Sequence, residues 1–471
     1  MRRVDSRWYQ WIIVLLICSV MKVKAEVIPN KVAKTLVQDA FSKGAVCLDG
    51  SPAAYHYDQG SGDGVNNWIV WLEGGGWCRS VEDCGQRFNY SNGSSNHIDS
   101  KSFYGLLSNS KTSNPDFYNW HRIMIRYCDG SSYTGDVELV DKVTNQHYRG
   151  ARIFQAIMDE LLAKGMKNAT NAILSGCSAG GLGTMFHCDR FRSLLPSTAR
   201  VKCLSDGAYF LLDNDFKRAN ILESTYDGVV NLHNSAKVLP PSCTSRMNPA
   251  SCFFPQHIQE DIKTPLFILN SAYDSWQIVD TVIPFADRQD FAENCFGAEF
   301  LSALPKSYSP SQRGMYINSC LMHCQTDHDW SWNSNSDLLN NKTIAKVFGD
   351  WFFERDPSQE MVFQVTVYSN LYSKEDLTLY YWSAKKKFCH KAPKDRVHTA
   401  LESLRIDYIG MAKILASTSQ ENVTSYSLLL SKGKAAVPHR VEECVLGSFA
   451  TASDFKVERP SSKPGHCEPV S

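Results

Sequence analysis

A pentapeptide in the middle of the chain, Gly176-Cys177-Ser178-Ala179-Gly180, contains a candidate nucleophile. An apolar run precedes it and a helix-like segment follows it, so Ser178 falls at the turn between a strand and a helix. A serine in such a turn exposes its hydroxyl for attack on an acyl carbon, and flanking glycines avoid collisions between a Cβ and neighbouring elements. The same pattern also occurs as a glycine-rich turn with a spectator serine, so the rest of the chain must decide.

A second glycine-rich segment could stabilise the negative charge that such an attack creates. The apolar stretch 68–72 predicts a buried strand that leads into three glycines and Trp77. An early loop of this kind supplies half of the oxyanion hole in esterases. We therefore expect the N–H groups of Gly76, Trp77 and Ala179 to bind the oxyanion. The alternative is an ordinary flexible loop.

The acid that would orient a catalytic histidine is expected at Asp274. It follows the apolar stretch 264–270, which predicts a strand, and parallel sheets bind their ligands at the carboxyl ends of strands. Asp206 also follows a predicted strand and is the alternative acid, with Asp213 close behind it. Either residue could instead cap a helix or order a loop.

The general base is expected at His323, which lies between Cys320 and Cys324. A bridge at either cysteine would stiffen the loop that carries the histidine. The order Ser178, Asp274, His323 along the chain is the order of α/β-hydrolases, unlike that of the chymotrypsin and subtilisin folds. His328 is the nearest alternative base.

These candidates require a framework of alternating strands and helices. Strands are predicted over 68–72 and 122–127, and apolar residues at helical spacing predict a helix over 149–165, directly before the strand that leads to Ser178. This order predicts an α/β-hydrolase-like fold, in which helices flank a mostly parallel central sheet.

The net charge and the N-terminal composition bear on whether the protein binds nucleic acid or a membrane. The 471 residues carry no net charge, since 49 basic residues balance 49 acidic ones, so bulk electrostatics favours neither nucleic acid nor an anionic membrane. The basic start and the short apolar run at 11–18 predict a signal peptide over residues 1–25, and its cleavage would leave no stable membrane span. An uncleaved anchor is the alternative.

Cysteines and glycosylation sequons agree with export. Removal of Cys18 with the signal leaves 15 of the 16 cysteines, a density that suits an oxidising compartment and predicts disulfides rather than a zinc site. The pairing stays open at this point. Candidate glycosylation sites are Asn89, Asn92, Asn168, Asn341 and Asn422.

Four segments in the same order resemble the plant pectin acetylesterases, a family related to the Notum-type carboxylesterases. They are Leu72-Glu73-Gly74-Gly75-Gly76-Trp77-Cys78, Gly176-Cys177-Ser178-Ala179-Gly180-Gly181, Tyr273-Asp274-Ser275-Trp276-Gln277 and His323-Cys324-Gln325-Thr326. The resemblance implies a secreted cell-wall enzyme that removes acetyl groups from the galacturonan backbone of pectin, works without metal or cofactor, and is a monomer. It also implies Ser178, Asp274 and His323 as the catalytic triad.

The C-terminal part departs from the family pattern. The resemblance predicts a catalytic domain over residues 26–358, whereas 359–471 match no motif and are expected to form an atypical, poorly ordered extension. Two other functions stay open: a Notum-like enzyme that removes a fatty acyl group from a protein, and a catalytically silent carbohydrate-binding protein on the same scaffold.

Overall fold

The computed structural model describes residues 31–212, 219–277, 297–305, 309, 311–318, 320, 322–334, 338, 341–355 and 362–363. The predicted signal peptide, Asp213, Asn422 and nearly all of 359–471 lie outside the described residues. Within that part of the chain, no helix is both long and apolar enough to cross a lipid bilayer.

The described strands form one nine-stranded sheet and one two-stranded pair. In chain order they are β1 (Lys31–Val32), β2 (Lys34–Leu36), β3 (Ala54–Asp58), β4 (Asn67–Leu72), β5 (Lys101–Ser102), β6 (His121–Ile125), β7 (Asn171–Cys177), β8 (Arg200–Asp206), β9 (Leu266–Ser271), β10 (Arg313–Asn318) and β11 (Val362–Phe363). The large sheet has the order β11-β10-β9-β8-β7-β4-β6-β3-β2, and β1 pairs with β5.

The centre of the large sheet is parallel, as the sequence predicts. Every neighbouring pair from β11 to β6 is parallel, whereas β3 and β2 add an antiparallel edge. The buried strands read as near-continuous apolar runs because both faces of a parallel sheet are covered. Successive residues then enter opposite cores: along β4, Val70 and Leu72 join one core, and Ile69 and Trp71 join the other.

Helices cover both faces of the sheet. The described helices are α1 (Ala40–Lys43), α2 (Val81–Gln86), α3 (Gly150–Ala163), α4 (Ala179–Ser193), α5 (Ala219–His233), α6 (Pro241–Thr244), α7 (Pro255–Ile258), α8 (Ser275–Gln277), α9 (Gly297–Ala303), α10 (Asp329–Trp332) and α11 (Ile344–Phe353). The predicted helix over 149–165 is α3, and its apolar stripe of Ile153, Ile157 and Leu161 is fully buried. The α/β-hydrolase-like fold class is confirmed.

The carboxyl ends of the parallel strands converge on one edge. Gly74 follows β4, Ser178 follows β7, Gly207 follows β8 and Asp274 follows β9. The segment after β10 leads to His323 at the same edge. Residues more than 240 positions apart in the chain therefore meet there, which is where an open α/β sheet holds its ligands.

Candidate active site

Ser178 lies at the sharp turn between β7 and α4, as expected. Its backbone has φ 58° and ψ −128°, a conformation that a residue with a side chain rarely adopts and that costs energy to maintain. The flanking glycines make the turn possible. A Cβ at Gly176 would lie 2.7 Å from the carbonyl oxygen of Leu72, and a Cβ at Gly180 would collide with the same oxygen. The predicted steric reason for these glycines is confirmed.

The glycine loop after β4 lies directly against this turn. A Cβ at Gly74 would come 2.8 Å from the Cβ of Ser178, so only glycine allows this approach. Gly76 has φ +65°, which also favours glycine. Within the described chain, no hydrogen-bond acceptor takes up the N–H groups of Gly76, Trp77 or Ala179. These three donors are available to a ligand.

The structure brings Asp274 and His323 together. Asp274 Oδ2 lies 2.8 Å from His323 Nδ1, and the second carboxylate oxygen accepts a 3.0 Å hydrogen bond from the Gln277 N–H. Because a carboxylate can only accept, the ring proton lies on Nδ1 and Nε2 keeps its lone pair. His323 Nε2 is buried and has no hydrogen-bond partner among the described residues. This geometry suits a general base.

The surroundings of His323 set its proton affinity. Burial alone lowers the pKa of the imidazole, but the charge of Asp274 and its hydrogen bond outweigh burial and raise the pKa above the usual 6.5. The more distant charges of Asp206 and Asp327 act in the same direction. The imidazolium that would form during proton transfer is therefore stabilised.

A disulfide joins the serine turn to the histidine loop. Cys177, the residue before Ser178, is bonded to Cys324, the residue after His323. A ring nitrogen of His323 and both sulfur atoms lie within 4.8 Å of one another. Because each cysteine is adjacent to one of the two candidate catalytic residues, the bond limits how far the histidine can move from the serine. Its two ends are visible in the sequence, but their pairing is not.

Asp206 is not hydrogen-bonded to the histidine and serves another role. Its Oδ2 accepts hydrogen bonds from the N–H groups of Gln325 and Thr326, both 2.7 Å, and from the Thr326 hydroxyl at 2.8 Å. Burial raises the pKa of Asp206 to about 7, although these hydrogen bonds favour the charged form. Asp206 thus anchors the chain immediately after His323.

His328, the alternative base, lies outside this arrangement. Its Nε2 is 3.5 Å from Asp327 Oδ1, its ring stacks on Trp330, and the side chain is partly exposed. It precedes α10 and makes no contact with Asp274 that the structure records. The geometry therefore favours His323.

Three aromatic side chains pack beside His323. The rings of Trp77, Phe210 and Trp276 pack edge to face, with centroids 5.1 to 5.5 Å apart. Phe210 and Trp276 also lie 6.3 and 6.1 Å from the imidazole. Trp77 is fixed by the 2.8 Å hydrogen bond from its Nε1 to Ser132 Oγ. These rings give the imidazole an apolar surface on one side.

Two groups of cysteine and histidine side chains have the proximity that a metal ion would need. They are Cys78, Cys84 and His233, and Cys177, His323 and Cys324. In each group the two cysteines form a disulfide, so no thiolate remains to bind a metal. Three further disulfides are described: Cys47–Cys128, Cys188–Cys203 and Cys243–Cys252.

The described glycosylation candidates differ in their surroundings. Asn89, Asn168 and Asn341 are exposed. Asn92 is half-buried: its Oδ1 is inaccessible to solvent, and its Cβ would lie 3.7 Å from a Cβ at Gly75. A glycan on Asn92 would lie close to the glycine loop, whereas the other three side chains are exposed and can accommodate a glycan.

Over most of its length the chain is similar to a family of plant proteins. A family model described as Pectinacetylesterase matches residues 26–370. Pectin acetylesterase 7 from Arabidopsis thaliana is 46% identical over 367 residues, which cover 74% of this chain and 93% of that protein. Pectin acetylesterase 11 from the same plant is 45% identical over 368 residues, with the same coverage.

More distant relatives share the fold. Palmitoleoyl-protein carboxylesterase notum2 from Xenopus laevis is 27% identical over 326 residues, which cover 65% of this chain and 64% of that protein. The crystal structure of the Wnt deacylase Notum from Drosophila superimposes with a TM-score of 0.62 at 22% identity, covering 72% of this chain and 97% of that one. From the match over residues 26–370 and the identity to the plant enzymes, it follows that the chain belongs to the pectinacetylesterase family and is a carboxylic ester hydrolase.

Proposed function

We propose that this chain is a secreted serine esterase that hydrolyses acetyl esters of pectin, with Ser178, His323 and Asp274 as its triad. The observation that carries the proposal is the 2.8 Å hydrogen bond from His323 Nδ1 to Asp274 Oδ2, on a loop tied by disulfide to the serine turn. The plant relatives, which are named pectin acetylesterases, support the choice of substrate.

The first half of the reaction transfers the acetyl group to the enzyme. His323 Nε2 takes the proton of the Ser178 hydroxyl as Oγ forms a bond to the acetyl carbon. The carbonyl oxygen becomes an oxyanion, which the N–H groups of Gly76, Trp77 and Ala179 stabilise. The bond from the acetyl carbon to the sugar oxygen then breaks, and His323 returns the proton to that oxygen.

The second half releases acetate. A water molecule gives a proton to His323 Nε2 as its oxygen bonds to the acetyl carbon, and the same three N–H groups bind the new oxyanion. The bond to Ser178 Oγ then breaks and the proton returns to the serine. Asp274 stabilises the imidazolium in both halves. Each step uses only side chains and backbone groups of this chain, together with ester and water.

The proposal includes export and a domain boundary. The basic and apolar start of the chain and the described disulfides support secretion to the cell wall. The family match extends to residue 370, and β11 pairs with β10 at Tyr316 and Ile317. We place the end of the catalytic unit after this strand, near residue 370.

Acetate release from acetylated pectin tests the nucleophile. We expect Ser178→Ala to lose essentially all activity, because no other group can carry the acetyl intermediate. The matched control is Ser175→Ala, three residues earlier on β7, whose buried hydroxyl has no hydrogen-bond partner in the described structure. That variant should keep wild-type activity. Full activity in Ser178→Ala would refute the assignment.

Two further assays of the wild-type protein distinguish the proposed function from its two alternatives. If the wild-type protein hydrolyses long-chain p-nitrophenyl esters far faster than the acetate and leaves pectin untouched, a Notum-like activity replaces the proposal. If it binds pectin yet neither releases acetate nor reacts with a serine-directed phosphonate, it is a silent carbohydrate-binding protein.

A further inference from the structure

Two side chains hold the carbonyl groups of the glycine loop. Arg87 Nη1 donates to the Gly75 carbonyl at 2.9 Å, and Arg87 Nη2 donates to the Trp77 carbonyl at 2.7 Å. Between them, the Tyr127 hydroxyl donates to the Gly76 carbonyl at 2.6 Å. Three consecutive carbonyls are thus each bound by a side-chain donor.

A hydrogen bond to a carbonyl oxygen also fixes the direction of the N–H group in the same peptide unit. The Gly75 carbonyl and the Gly76 N–H belong to one planar trans peptide, so they point in opposite directions. The Gly76 carbonyl and the Trp77 N–H are related in the same way. Arg87 and Tyr127 therefore bind the two peptide units that carry the donors of the proposed oxyanion hole.

We propose that Arg87 and Tyr127 are positioning residues that fix the Gly76 and Trp77 N–H groups toward the oxyanion. This inference rests on the proposed function, since it explains how that oxyanion hole keeps its geometry. Neither side chain is required to touch the substrate. Their effect is on the transition state, because an oxyanion forms only there.

The loop needs such anchors because it is rich in glycine. Glycine adopts positive and negative φ with similar ease, so a peptide between glycines can rotate and present its carbonyl where its N–H should be. Gly76 has φ +65°, in the left-handed region that favours glycine. A carbonyl turned toward the oxyanion would repel it and destabilise the transition state.

Both side chains are suited to the task. Burial raises the pKa of Tyr127, so its hydroxyl stays protonated and donates, while it accepts a 3.0 Å hydrogen bond from the Ser132 N–H. The Tyr127 ring also packs on the loop, since a Cβ at Gly75 would lie 2.8 Å from it. The planar guanidinium fork of Arg87 can bind two carbonyls at once.

The test uses Tyr127→Phe and Arg87→Ala, with acetate release as the assay. We expect kcat to fall roughly 10- to 100-fold in each, less than the loss of a donor itself causes, with KM within about twofold of wild type. The affinity for a trifluoromethyl ketone, whose serine adduct carries an oxyanion, should fall by the same factor as kcat/KM. Added guanidine should partly restore Arg87→Ala.

Matched controls make the same changes elsewhere. Arg192 also donates to backbone carbonyls, those of Pro196 and Ser197 at 3.0 and 2.8 Å, at the far end of α4. Tyr57 donates a 2.8 Å hydrogen bond to His121 on the antiparallel edge of the sheet. Arg192→Ala and Tyr57→Phe should keep kcat and ketone affinity near wild type.

The outcomes separate this inference from the proposed function. If Ser178→Ala keeps full activity, the proposed function fails. If Ser178→Ala is inactive but Tyr127→Phe and Arg87→Ala keep wild-type kcat and ketone affinity, the positioning role is overturned and the esterase assignment stands. If Arg87→Ala fails to fold, Arg87→Lys and Tyr127→Phe decide, because each keeps most of the packing.

Discussion

Asp206 and Asp274 are two buried carboxylates in similar sequence contexts with different partners. Asp206 is the last residue of β8 and Asp274 follows β9, so both lie at the carboxyl ends of parallel strands. Asp274 binds the imidazole, whereas Asp206 binds backbone and hydroxyl donors two and three residues after His323. The difference arises from the paths of the loops after β8 and β9, which strand patterns do not specify. Both residues act on the histidine, one directly and one through its loop.

The pH dependence of the reaction tests the role of Asp274. Only neutral His323 can accept a proton, and its pKa is raised above 6.5, so kcat/KM should rise with pH through a midpoint above 6.5. Asp274→Asn removes the charge that raises this pKa and leaves burial, which lowers it. The midpoint should then move to lower pH, and kcat should fall by roughly 10³- to 10⁴-fold.

The measurement is the pH profile of p-nitrophenyl acetate hydrolysis, since this substrate does not itself titrate. Asp58→Asn is a suitable control, because Asp58 pairs with Arg122 at the opposite edge of the sheet. Its profile should match that of the wild type. A profile of Asp274→Asn with an unchanged midpoint would contradict the assignment.

At the scale of elements, the Cys177–Cys324 bond connects the end of β7 to the loop after β10. These two strands are not neighbours, since β8 and β9 lie between them. The bond therefore adds a direct link across β8 and β9. It acts together with the strand pairing, the Asp274–Met322 bridge and the hydrogen bonds of Asp206, which also hold the histidine loop near the serine turn.

Removal of this bond should affect both activity and stability. In a Cys177→Ala, Cys324→Ala double variant we expect kcat to fall at least 10-fold. Without the bond the histidine loop gains freedom, so His323 Nε2 is aligned less often with the Ser178 hydroxyl. Closure of a 147-residue loop also stabilises the fold by about 5 kcal/mol in the chain-entropy description.

Cys243→Ala with Cys252→Ala is the control for this prediction. That bond closes a nine-residue loop, worth roughly 2.5 kcal/mol in the same description, and links α6 to the turn at Ser251–Phe253. It should lower the melting temperature less and leave kcat unchanged. Equal losses of kcat in the two double variants would show that the first bond has no specific role in positioning.

At the scale of the whole molecule, the proposed site depends on one sheet and the helices on its two faces. All candidate catalytic residues lie between Gly76 and His323, and the last described helix ends at Phe353. Beyond it, the described structure contains β11, whose two residues extend the parallel order of the sheet. The residues that form the proposed site, and the elements that hold them, thus all lie within residues 26–370, which the family model matches.

A chain that ends after Asn370 tests this boundary. We expect it to fold and to keep kcat within about twofold of the full chain, because every described contact of the site lies upstream. A second chain that ends after Ser358 lacks β11 and should melt at a lower temperature while keeping the triad. Acetate release and thermal melts would compare the three proteins. A large loss of kcat in the chain that ends after Asn370 would place part of the site in 371–471.

The sequence predicts the centre of the molecule better than its edges. The serine turn, the parallel strands and the positions of Asp274 and His323 follow from apolar runs that end in Gly, Asp and His at one sheet edge. The antiparallel strands β2 and β3 are short and carry no such pattern. Arg87 and Tyr127 leave no motif, because a side chain that binds backbone carbonyls places no demand on the residues it binds.

The 147-residue separation between Cys177 and Cys324 has a consequence for biosynthesis. At ordinary rates of translation, Ser178 leaves the ribosome roughly 7 to 30 s before the cysteine that anchors its base. During that interval the nascent chain carries the proposed nucleophile without the proposed base. Because loss of this bond is expected to lower kcat at least 10-fold, we expect esterase activity to reach its full value only once the two thiols are joined.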